Sequence, residues 1–332
     1  MARHKDQPGR PVTSHAVARL AGVSQSAVSR AFTPGASVSP AMRDRIAAAA
    51  AALGYYPSFL PRMMVSGRSG IVALVVGGSY NPFHAATLDA FSRTLRAAGK
   101  QIMLVQVESD RALDEIVGEL AGYRVDAVVS ALSVQSQAVA DTLTAHHIPI
   151  ILLNSGITSE WIRTVESDNA GAGRAAADLL HARGARQFSY VGAESSASAA
   201  RETGFRDRLR ALGVPDVVTY AGNLDHDGGY AAGRAMLTHK DRPEGIFCVN
   251  DLTAIGVIDA LRIEAGLSVP GDAMIIGYDN IAAASWPAYA LTTFDQQVGE
   301  MVSRAVALID LSADASLERE VIPYKLIERL SA

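Results

Sequence analysis

Short apolar runs alternate with amphipathic helical patterns from residue 71 to residue 277, and this alternation limits the possible folds more than any other feature. The predicted strands are residues 71–76, 102–107, 127–130, 148–153, 164–166, 188–191, 217–220, 246–249 and 274–277. The predicted helices include residues 85–98, 113–120, 134–146 and 170–183, and three more end at residues 212, 237 and 265. Strands that alternate with helices predict parallel sheets covered on both faces.

The strand–helix unit occurs in two sets, and the second set begins near residue 163. Two such sets predict two doubly wound lobes, since a chain of 332 residues is too long for one small domain. In open α/β sheets, ligands bind beyond the carboxyl ends of the strands. The cleft between the two lobes is therefore the expected ligand site.

Residues 12–31 have the spacing of two short helices joined by a tight turn. Thr13 is the expected N-cap of the first helix, Gly22 suits the left-handed turn that follows it, and Ser24 should cap the second helix. The apolar residues that recur at helical spacing are Val17, Leu20 and Ala21 in the first helix and Val28 and Ala31 in the second. This pattern predicts a helix-turn-helix.

The second helix leaves polar side chains on its outer face near its N-terminal end, namely Gln25, Ser26, Ser29 and Arg30. An ordinary helical hairpin within a core is the alternative interpretation of the two helices. The next stretch favours the helix-turn-helix, because Ser39 and Pro40 start a third apolar helix that ends at Gly54. Three short helices can bury a small core, and the second of them then suits the major groove of DNA.

Charge is distributed unevenly along the chain. Residues 1–70 contain nine Lys and Arg against two Asp and Glu, a balance of +7, whereas the whole chain has a formal net charge of −4. The remaining residues therefore carry −11. Only the N-terminal segment has the positive charge that attracts phosphates.

Membrane insertion, export and cysteine chemistry are not expected. No apolar run reaches the length of about 18 residues that a membrane span needs. The charged residues 1–10 lead into helix-turn-helix sequence and not into the apolar core of an export signal, so a cytoplasmic protein is expected. Cys248 is the single cysteine and lies in an apolar strand, which excludes an intrachain disulfide or a cysteine-cluster metal site and predicts a buried thiol.

No motif of the chain points to catalysis or to a cofactor. Residues 171–176 match G-x-G-x-x-A at the start of a helix, but the preceding strand is short, so close helix packing is expected in place of a dinucleotide. His146 and His147 end a helix without other metal ligands nearby, which predicts a capping role. Residues 195–198 lack the G-x-S-x-G elbow of a serine nucleophile. We therefore predict no enzymatic activity, no cofactor and no metal.

Polar and aromatic residues fall at strand ends that should face the cleft. They are Asn81, Phe83, Asn154, Arg201, Asn250, Asp251, Asp279 and Gln296. An Asn or Asp at such a position could instead only cap its own helix. Together the set supplies a cation, carboxylates, amides and an aromatic ring, which suits a small polar ligand.

Four spaced motifs occur in one order along the N-terminal part of the chain. They are residues 12–30, Val38-Ser39, the Leu-Gly-Tyr-Tyr-Pro of residues 53–57, and the Ser-Gly-Arg-Ser of residues 66–69 before an apolar strand. In this order they resemble the lactose-repressor/galactose-repressor family of bacterial transcription regulators. The resemblance implies a periplasmic-binding-protein-like body over roughly residues 70–330, in which the strand-end positions above line an effector pocket. It also implies three crossings of the chain between the lobes, which we place near Glu166, Phe294 and Val321.

The expected fold is a small all-α helix-turn-helix head plus an α/β body of two doubly wound lobes. The head is residues 1–57, and a hinge helix with a linker follows at residues 58–70. The first effector-binding lobe is residues 71–166 with 295–320, and the second is residues 167–294 with 321–332.

The resemblance also implies a short hinge helix over residues 58–65 that forms on operator DNA. Ser58 would cap it, and Met64 matches the position of the family's minor-groove leucine. Pro61 replaces the usual alanine, but the third residue of a helix has no intrahelical partner for its N–H, so the helix remains possible. An extended linker packed on the body is the alternative. The expected DNA contacts are Thr13, Ser24, Gln25, Ser26, Ser29, Arg30, Ser58 and Met64.

These features predict a sequence-specific DNA-binding transcription regulator, a repressor, that is switched by a small polar ligand such as a sugar. It should act as a homodimer on a pseudo-palindromic double-stranded operator, with the first lobe supplying the main dimer surface. Arg201 and Asp279 should clamp the ligand over Phe83; pairing of the two charged residues with each other is the alternative. A solute-binding receptor without DNA binding is the alternative function, which the basic head opposes.

Overall fold

The structure is a computed structural model that describes residues 12–33, 35–56, 68–77, 81–107, 113–130, 141, 144–145, 147–155, 157–214, 216–310 and 319–332. The chain forms two compact units, Met1–Ser69 and Gly70–Ala332, which are described separately. Within the described ranges, no helix has the length and apolar character needed to cross a membrane.

The N-terminal unit contains helices α1 (Ser14–Ala21), α2 (Gln25–Ala31) and α3 (Pro40–Leu53). Gly22 and Gly54 follow α1 and α3 in the left-handed conformation, with φ of 63° and 65°, which glycine adopts without a steric cost. All three helices share a core that consists of Val17, Ala18, Ala21, Ala27, Val28, Ile46, Ala49 and Ala50. The predicted helix-turn-helix is confirmed.

Leu20 departs from the predicted core of α1. Its side chain is 56% exposed, and Ala18 is buried in its place. Successive residues of an α-helix are about 100° apart, so Ala18 and Leu20 flank the row formed by Val17 and Ala21 on opposite sides. Only one of these two residues can face α2 and α3, and the helical spacing alone does not show whether it is Ala18 or Leu20.

The body alternates strands with helices, as predicted. Its strands are β1 (Ile71–Gly77), β2 (Gln101–Val107), β3 (Ala127–Ser130), β4 (Ile150–Leu153), β5 (Ile162–Ser167), β6 (Phe188–Gly192), β7 (Val217–Ala221), β8 (Gly245–Cys248), β9 (Met274–Ile276), β10 (Thr293–Asp295), β11 (Arg319–Ile322) and β12 (Lys325–Ile327). Its helices are α4 (Pro82–Ala97), α5 (Leu113–Gly122), α6 (Asn169–Ala182), α7 (Ser196–Ala211), α8 (His226–Leu237), α9 (Asp251–Ala265) and α10 (Val298–Ile309). The helix predicted at residues 134–146 falls mostly outside the described residues.

Six parallel strands form the sheet of the first lobe, in the order β11-β5-β4-β3-β1-β2. Helices α4 and α10 pack on one face of this sheet, and α5 packs on the other. The sheet of the second lobe has four parallel strands in the order β7-β6-β8-β9, with α6 and α7 on one face and α8 and α9 on the other. Two doubly wound lobes are therefore confirmed.

Three segments connect the lobes. The chain leaves the first sheet after Ser167 at the end of β5, returns after β10, and leaves again after β11. Strands β10 and β12 pair antiparallel as a two-stranded crossing ribbon, with Asp295 opposite Lys325. The crossings lie beside the three predicted positions, but Val321 pairs with Glu166 in the first sheet, so β11 extends that lobe two residues beyond the predicted boundary.

The G-x-G-x-x-A motif lies where α6 crosses α7. A Cβ atom on Gly173 would lie 2.2 Å from the carbonyl oxygen of Arg201, and one on Gly204 would lie 2.1 Å from the carbonyl oxygen of Ala170. Both distances are far below any real contact, so the two backbones touch only because these residues are glycine. The motif serves the close helix packing that was expected of it.

Candidate functional site

The N-terminal unit presents a polar helix face to solvent. Gln25, Ser26, Ser29 and Arg30 are all exposed on α2, whereas Ala27 and Val28 are buried beneath them. The arrangement follows from the 3.6-residue period, which places the four polar residues opposite the buried pair. The face has the donors and acceptors that can read the edges of bases.

Capping residues position the start of this face. The Ser24 hydroxyl accepts a hydrogen bond from the backbone N–H of Ala27 at 3.2 Å and lies 2.9 Å from the Ser26 hydroxyl. Thr13 precedes α1 as predicted, but its side chain makes no capping bond. Arg30 Nε donates to the carbonyl oxygen of Ser26 at 3.4 Å, which directs the side chain back along α2 and leaves both Nη groups for a ligand. Ser58 and Met64 lie outside the described residues.

The body contains a cleft of about 660 Å³ beside the crossing ribbon. One wall is the start of α4 from the first lobe, where Asn81 caps the helix by accepting from the N–H of Phe83 at 2.9 Å. The other wall is the loop after β9 from the second lobe. The residues that line the cleft are Pro82, Phe83, Ala86, Asp279, Asn280, Ile281, Ala282, Asp295, Gln297, Val298, Gly299, Glu300 and Lys325. The cleft therefore has an aromatic floor and several charged groups.

A chain of hydrogen bonds links the two lobes behind this cleft. Asn154 Nδ2, at the end of β4, donates to Gln296 Oε1 at 3.0 Å, and Gln296 Nε2 donates to Asp279 Oδ1 at 2.6 Å. Asn154 Oδ1 also accepts from the N–H of Ser167 at 3.0 Å, and the Ser196 hydroxyl donates to the carbonyl oxygen of Asn154 at 3.1 Å. The structure thus joins three of the predicted cleft residues directly. We call Asn154, Gln296 and Asp279 the interlobe chain.

Arg201 is buried behind the cleft and does not lie at its rim. Its side chain is 4% exposed, and its Nε donates to Asn169 Oδ1 at 2.8 Å. Nη1 donates to the carbonyl oxygen of Val249, and the guanidinium carbon lies 3.5 Å from the centre of the Tyr278 ring. No ion pair within 4.0 Å joins Arg201 to Asp279, both of which are described residues. The guanidinium is instead held by the second lobe.

Asn250 and Asp251 make hydrogen bonds that hold elements of the body together. Asn250 Oδ1 accepts from the N–H of Thr253 at 2.9 Å. Asp251 is fully buried, and its carboxylate accepts from the N–H of Ile281 at 2.8 Å and from the Thr293 hydroxyl at 2.5 Å. Asn250 therefore caps its own helix, as the alternative interpretation had expected, whereas Asp251 does not cap α9 but ties it to Ile281 and Thr293.

The carboxyl group of Asp279 has a raised pKa. Burial raises the pKa of its carboxyl group from 3.8 to about 6, although the positive charge of Arg201 and the hydrogen bond from Gln296 oppose the rise. The pKa of Asp251 is also raised, first by burial and then by the negative charge of Asp279. A carboxyl group that titrates near neutral pH in a ligand-sized cleft is typical of a functional site.

Four residues at or beside the cleft have positive φ angles. Asn154, Asp279, Asn280 and Gln297 have φ angles of 54°, 110°, 53° and 55°, a region that side chains other than glycine seldom adopt. Strained residues persist where the surrounding fold holds them, and they cluster at ligand sites. The strain and the raised pKa therefore mark one site by two separate physical signs.

Several residues that line the cleft or lie behind it had not been predicted from the sequence. Lys325 and Asp295 face the cleft because they are paired across the antiparallel crossing ribbon. Tyr278, which lies under Arg201, donates to or accepts from the Ser167 hydroxyl at 2.7 Å. Lys325 lies within the third crossing itself, and no local sequence signal shows its pairing with Asp295. Within the described ranges, no group of three His, Cys, Asp or Glu side chains is placed to hold a metal ion.

Two family models match the chain. Residues 14–58 match the bacterial regulatory proteins of the lacI family, and residues 177–332 match the periplasmic binding protein-like domain. The first match covers the helix-turn-helix, and the second covers most of the second lobe together with the last crossing.

Relatives and a solved structure agree with these matches. The ribose operon repressor of Escherichia coli (strain K12) is 28% identical over 325 residues, which cover 95% of this chain and 98% of that protein. The HTH-type transcriptional regulator CelR of Thermobifida fusca is 30% identical over 307 residues, which cover 89% of each chain. A lac repressor dimer bound to operator and to the anti-inducer ONPF has the same fold, with a TM-score of 0.85 at 24% identity over 97% of this chain and 99% of that one. The chain belongs to the lacI family of bacterial regulatory proteins.

Proposed function

We propose that this protein is a sequence-specific DNA-binding transcription repressor, not an enzyme, whose DNA binding is controlled by a small polar ligand in the cleft of the body. The observation that carries the proposal is the exposed polar face of α2 in a segment with a charge balance of +7, joined in one chain to a ligand-sized cleft. A solute-binding receptor would use the cleft but would have no use for this face.

The two kinds of DNA contact would come from different parts of the head. Lys and Arg side chains would hold phosphates, which gives affinity without sequence preference. Arg30, with both Nη groups available, can bind guanine O6 and N7 in a bidentate manner, and Gln25 and Ser26 would contact neighbouring bases. Ser58 and Met64 would add hinge contacts in the minor groove, as the family resemblance implies.

Capture of genomic DNA fragments by the purified full-length protein tests this proposal. We expect a small set of fragments that share a pseudo-palindromic site, because two heads related by two-fold symmetry read two half-sites. Affinity for that site should fall by about 10³- to 10⁵-fold between 50 and 200 mM salt, the range for roughly 6 to 10 phosphate contacts, as counterions compete for the phosphates. Capture of random fragments, or binding that does not depend on salt, would contradict the proposal.

The cleft suits a hydroxylated ligand with an apolar face. Phe83 and Pro82 supply an apolar surface, and the Asp279 carboxylate supplies a strong acceptor for hydroxyl groups. The relatives' names support this class: one is a repressor of a ribose operon. A ligand that bonds Asp279 Oδ1 would compete with Gln296 for that oxygen, weaken the interlobe chain and so change how the lobes are held.

Operator affinity measured with ribose and with cellobiose, the sugars named with a repressor and a solved structure to which this chain is similar, tests the switch. We expect at least one compound to change the affinity of the wild-type protein by about 5- to 150-fold. Asp279→Ala should remove that change, whereas Asp241→Ala, which removes an exposed carboxylate of the same lobe outside the cleft, should keep it. A compound that acts equally on all three proteins would show that the controlling site lies elsewhere.

We also infer a homodimer, in which the first lobe contributes a main surface. Strand β2 is the edge of the six-stranded sheet in the described residues, and Leu104 on it is 52% exposed. An edge strand with exposed apolar side chains is an aggregation hazard unless a partner covers it, and a second copy is the partner that a symmetric operator requires. Ile263 and Trp286 are exposed apolar side chains on the second lobe that could extend the same interface.

A further inference from the structure

The first residues of α1 and α2 bond to each other through their side chains. Gln25 Nε2 donates to the Ser14 hydroxyl oxygen at 3.3 Å. Ser14 is half-buried and Gln25 is exposed. Ser14 does not cap α1, because the helix begins after Thr13, so its hydroxyl is available for this bond. Among the described residues, this is the one side-chain hydrogen bond that joins α1 to α2.

The bond leaves Gln25 with a defined set of free groups. A glutamine amide has two N–H donors and one carbonyl acceptor. Ser14 takes one donor, so one N–H and the carbonyl oxygen remain for a base. One donor beside one acceptor is the pair that adenine matches in the major groove, where N7 accepts and the N6 amino group donates.

The neighbouring side chains cannot supply this pair. A bidentate contact to adenine needs a donor and an acceptor on two separate atoms, and the hydroxyls of Ser26 and Ser29 each have a single oxygen. Arg30 carries donors only, which match the two acceptors of guanine. Gln25 is therefore the residue of the exposed α2 face that is suited to adenine, and its orientation depends on a residue of another helix.

We propose that Ser14 is a positioning residue that fixes the Gln25 amide in the orientation for adenine. The proposal rests on the proposed function of α2 as the base-reading helix and adds to it one base and one residue outside α2. Without Ser14, the amide rotates freely and also offers its carbonyl oxygen to the amino group of cytosine. Selectivity for adenine then falls although Gln25 is still present.

Selection of binding sites from a randomised half-site, with the full-length protein, tests this inference. The variants are Gln25→Ala, Ser14→Ala and Ser14→Thr, and the last keeps the hydroxyl. The wild-type protein should prefer adenine at one position of each half-site. Gln25→Ala should reduce that preference by about 5- to 150-fold, the range for loss of one bidentate base contact. Ser14→Ala should reduce it by about two- to fivefold, as expected for one exposed hydrogen bond, and leave the other positions unchanged.

The Ser14→Thr variant should retain the preference for adenine, which would show that the hydroxyl and not the side-chain volume is responsible. A Ser14→Ala protein that binds all sequences more weakly by one common factor would overturn the inference, because Ser14 would then contact a phosphate. An unchanged preference in Ser14→Ala would overturn it as well. Failure of the wild-type protein to select any sequence would instead refute the proposed function itself.

Discussion

At the scale of single residues, Asp279 connects the stability of the body to its function. Its carboxylate accepts from Gln296 in the interlobe chain, lines the cleft, and has a φ of 110°. Burial raises its pKa to about 6, so keeping it ionised at neutral pH costs folding free energy. Asp279 therefore combines a strained backbone conformation with a buried carboxylate whose charge destabilises the fold, a combination typical of a functional residue.

Asp279→Asn should therefore stabilise the body at neutral pH. A carboxyl group whose pKa rises from 3.8 to about 6 on folding contributes stability that is complete below pH 3.8 and is lost as the pH rises through 6. The neutral amide avoids this loss and can still accept from Gln296. We expect a gain of about 1–3 kcal/mol in the free energy of unfolding at pH 7.5, which shrinks towards pH 4.

Urea unfolding followed by tryptophan fluorescence measures this gain. The two tryptophans, Trp161 and Trp286, both belong to the body, so the signal reports that unit alone. Asp241→Asn, at an exposed position, serves as the control and should change little at either pH. A variant that is equally destabilised at both pH values would mean that the Asp279 carboxylate is a structural bond and not a charge held at a cost.

At the scale of elements, the sequence was informative where a residue's role depends on its own helix or strand. Strand ends could be located, and the structure hydrogen-bonds Asn154, Gln296 and Asp279, which follow β4, β10 and β9, where the first lobe, the crossing ribbon and the second lobe meet. The burial of Arg201 was not predictable, since it depends on Asn169 in α6 and Tyr278 after β9.

Contacts between elements explain the other differences. Leu20 was expected in the core of the head, but which flank of α1 faces its neighbours is decided by how α2 and α3 pack. Gly173 belongs to a dinucleotide-like pattern, and its packing role appears only when α6 and α7 are placed in contact, where Gly204 is its counterpart on α7. Lys325 reaches the cleft through its pairing with Asp295, and an antiparallel pair between distant strands has no local sequence signal.

At the scale of the whole molecule, the two units differ in charge and in the surfaces that they present. The change from +7 in residues 1–70 to −11 in the remainder falls at the division between Met1–Ser69 and Gly70–Ala332. One unit has the charge and the exposed polar helix for DNA, and the other has the cleft for a ligand. The central claim is that the first unit reads a specific DNA sequence with α2.

Affinity for the captured operator, measured for the wild-type protein, Arg30→Ala and Arg45→Ala, tests that claim most directly. Both variants remove one exposed arginine of the head, but Arg30 lies on the proposed reading face of α2 and Arg45 lies on α3. Arg30→Ala should lower affinity for the operator by about 5- to 150-fold, with little change for random DNA of the same length, as expected for loss of a bidentate guanine contact. Arg45→Ala should change operator and random DNA by one similar, smaller factor. An Arg30→Ala protein that binds the operator as tightly as the wild-type protein would contradict the account.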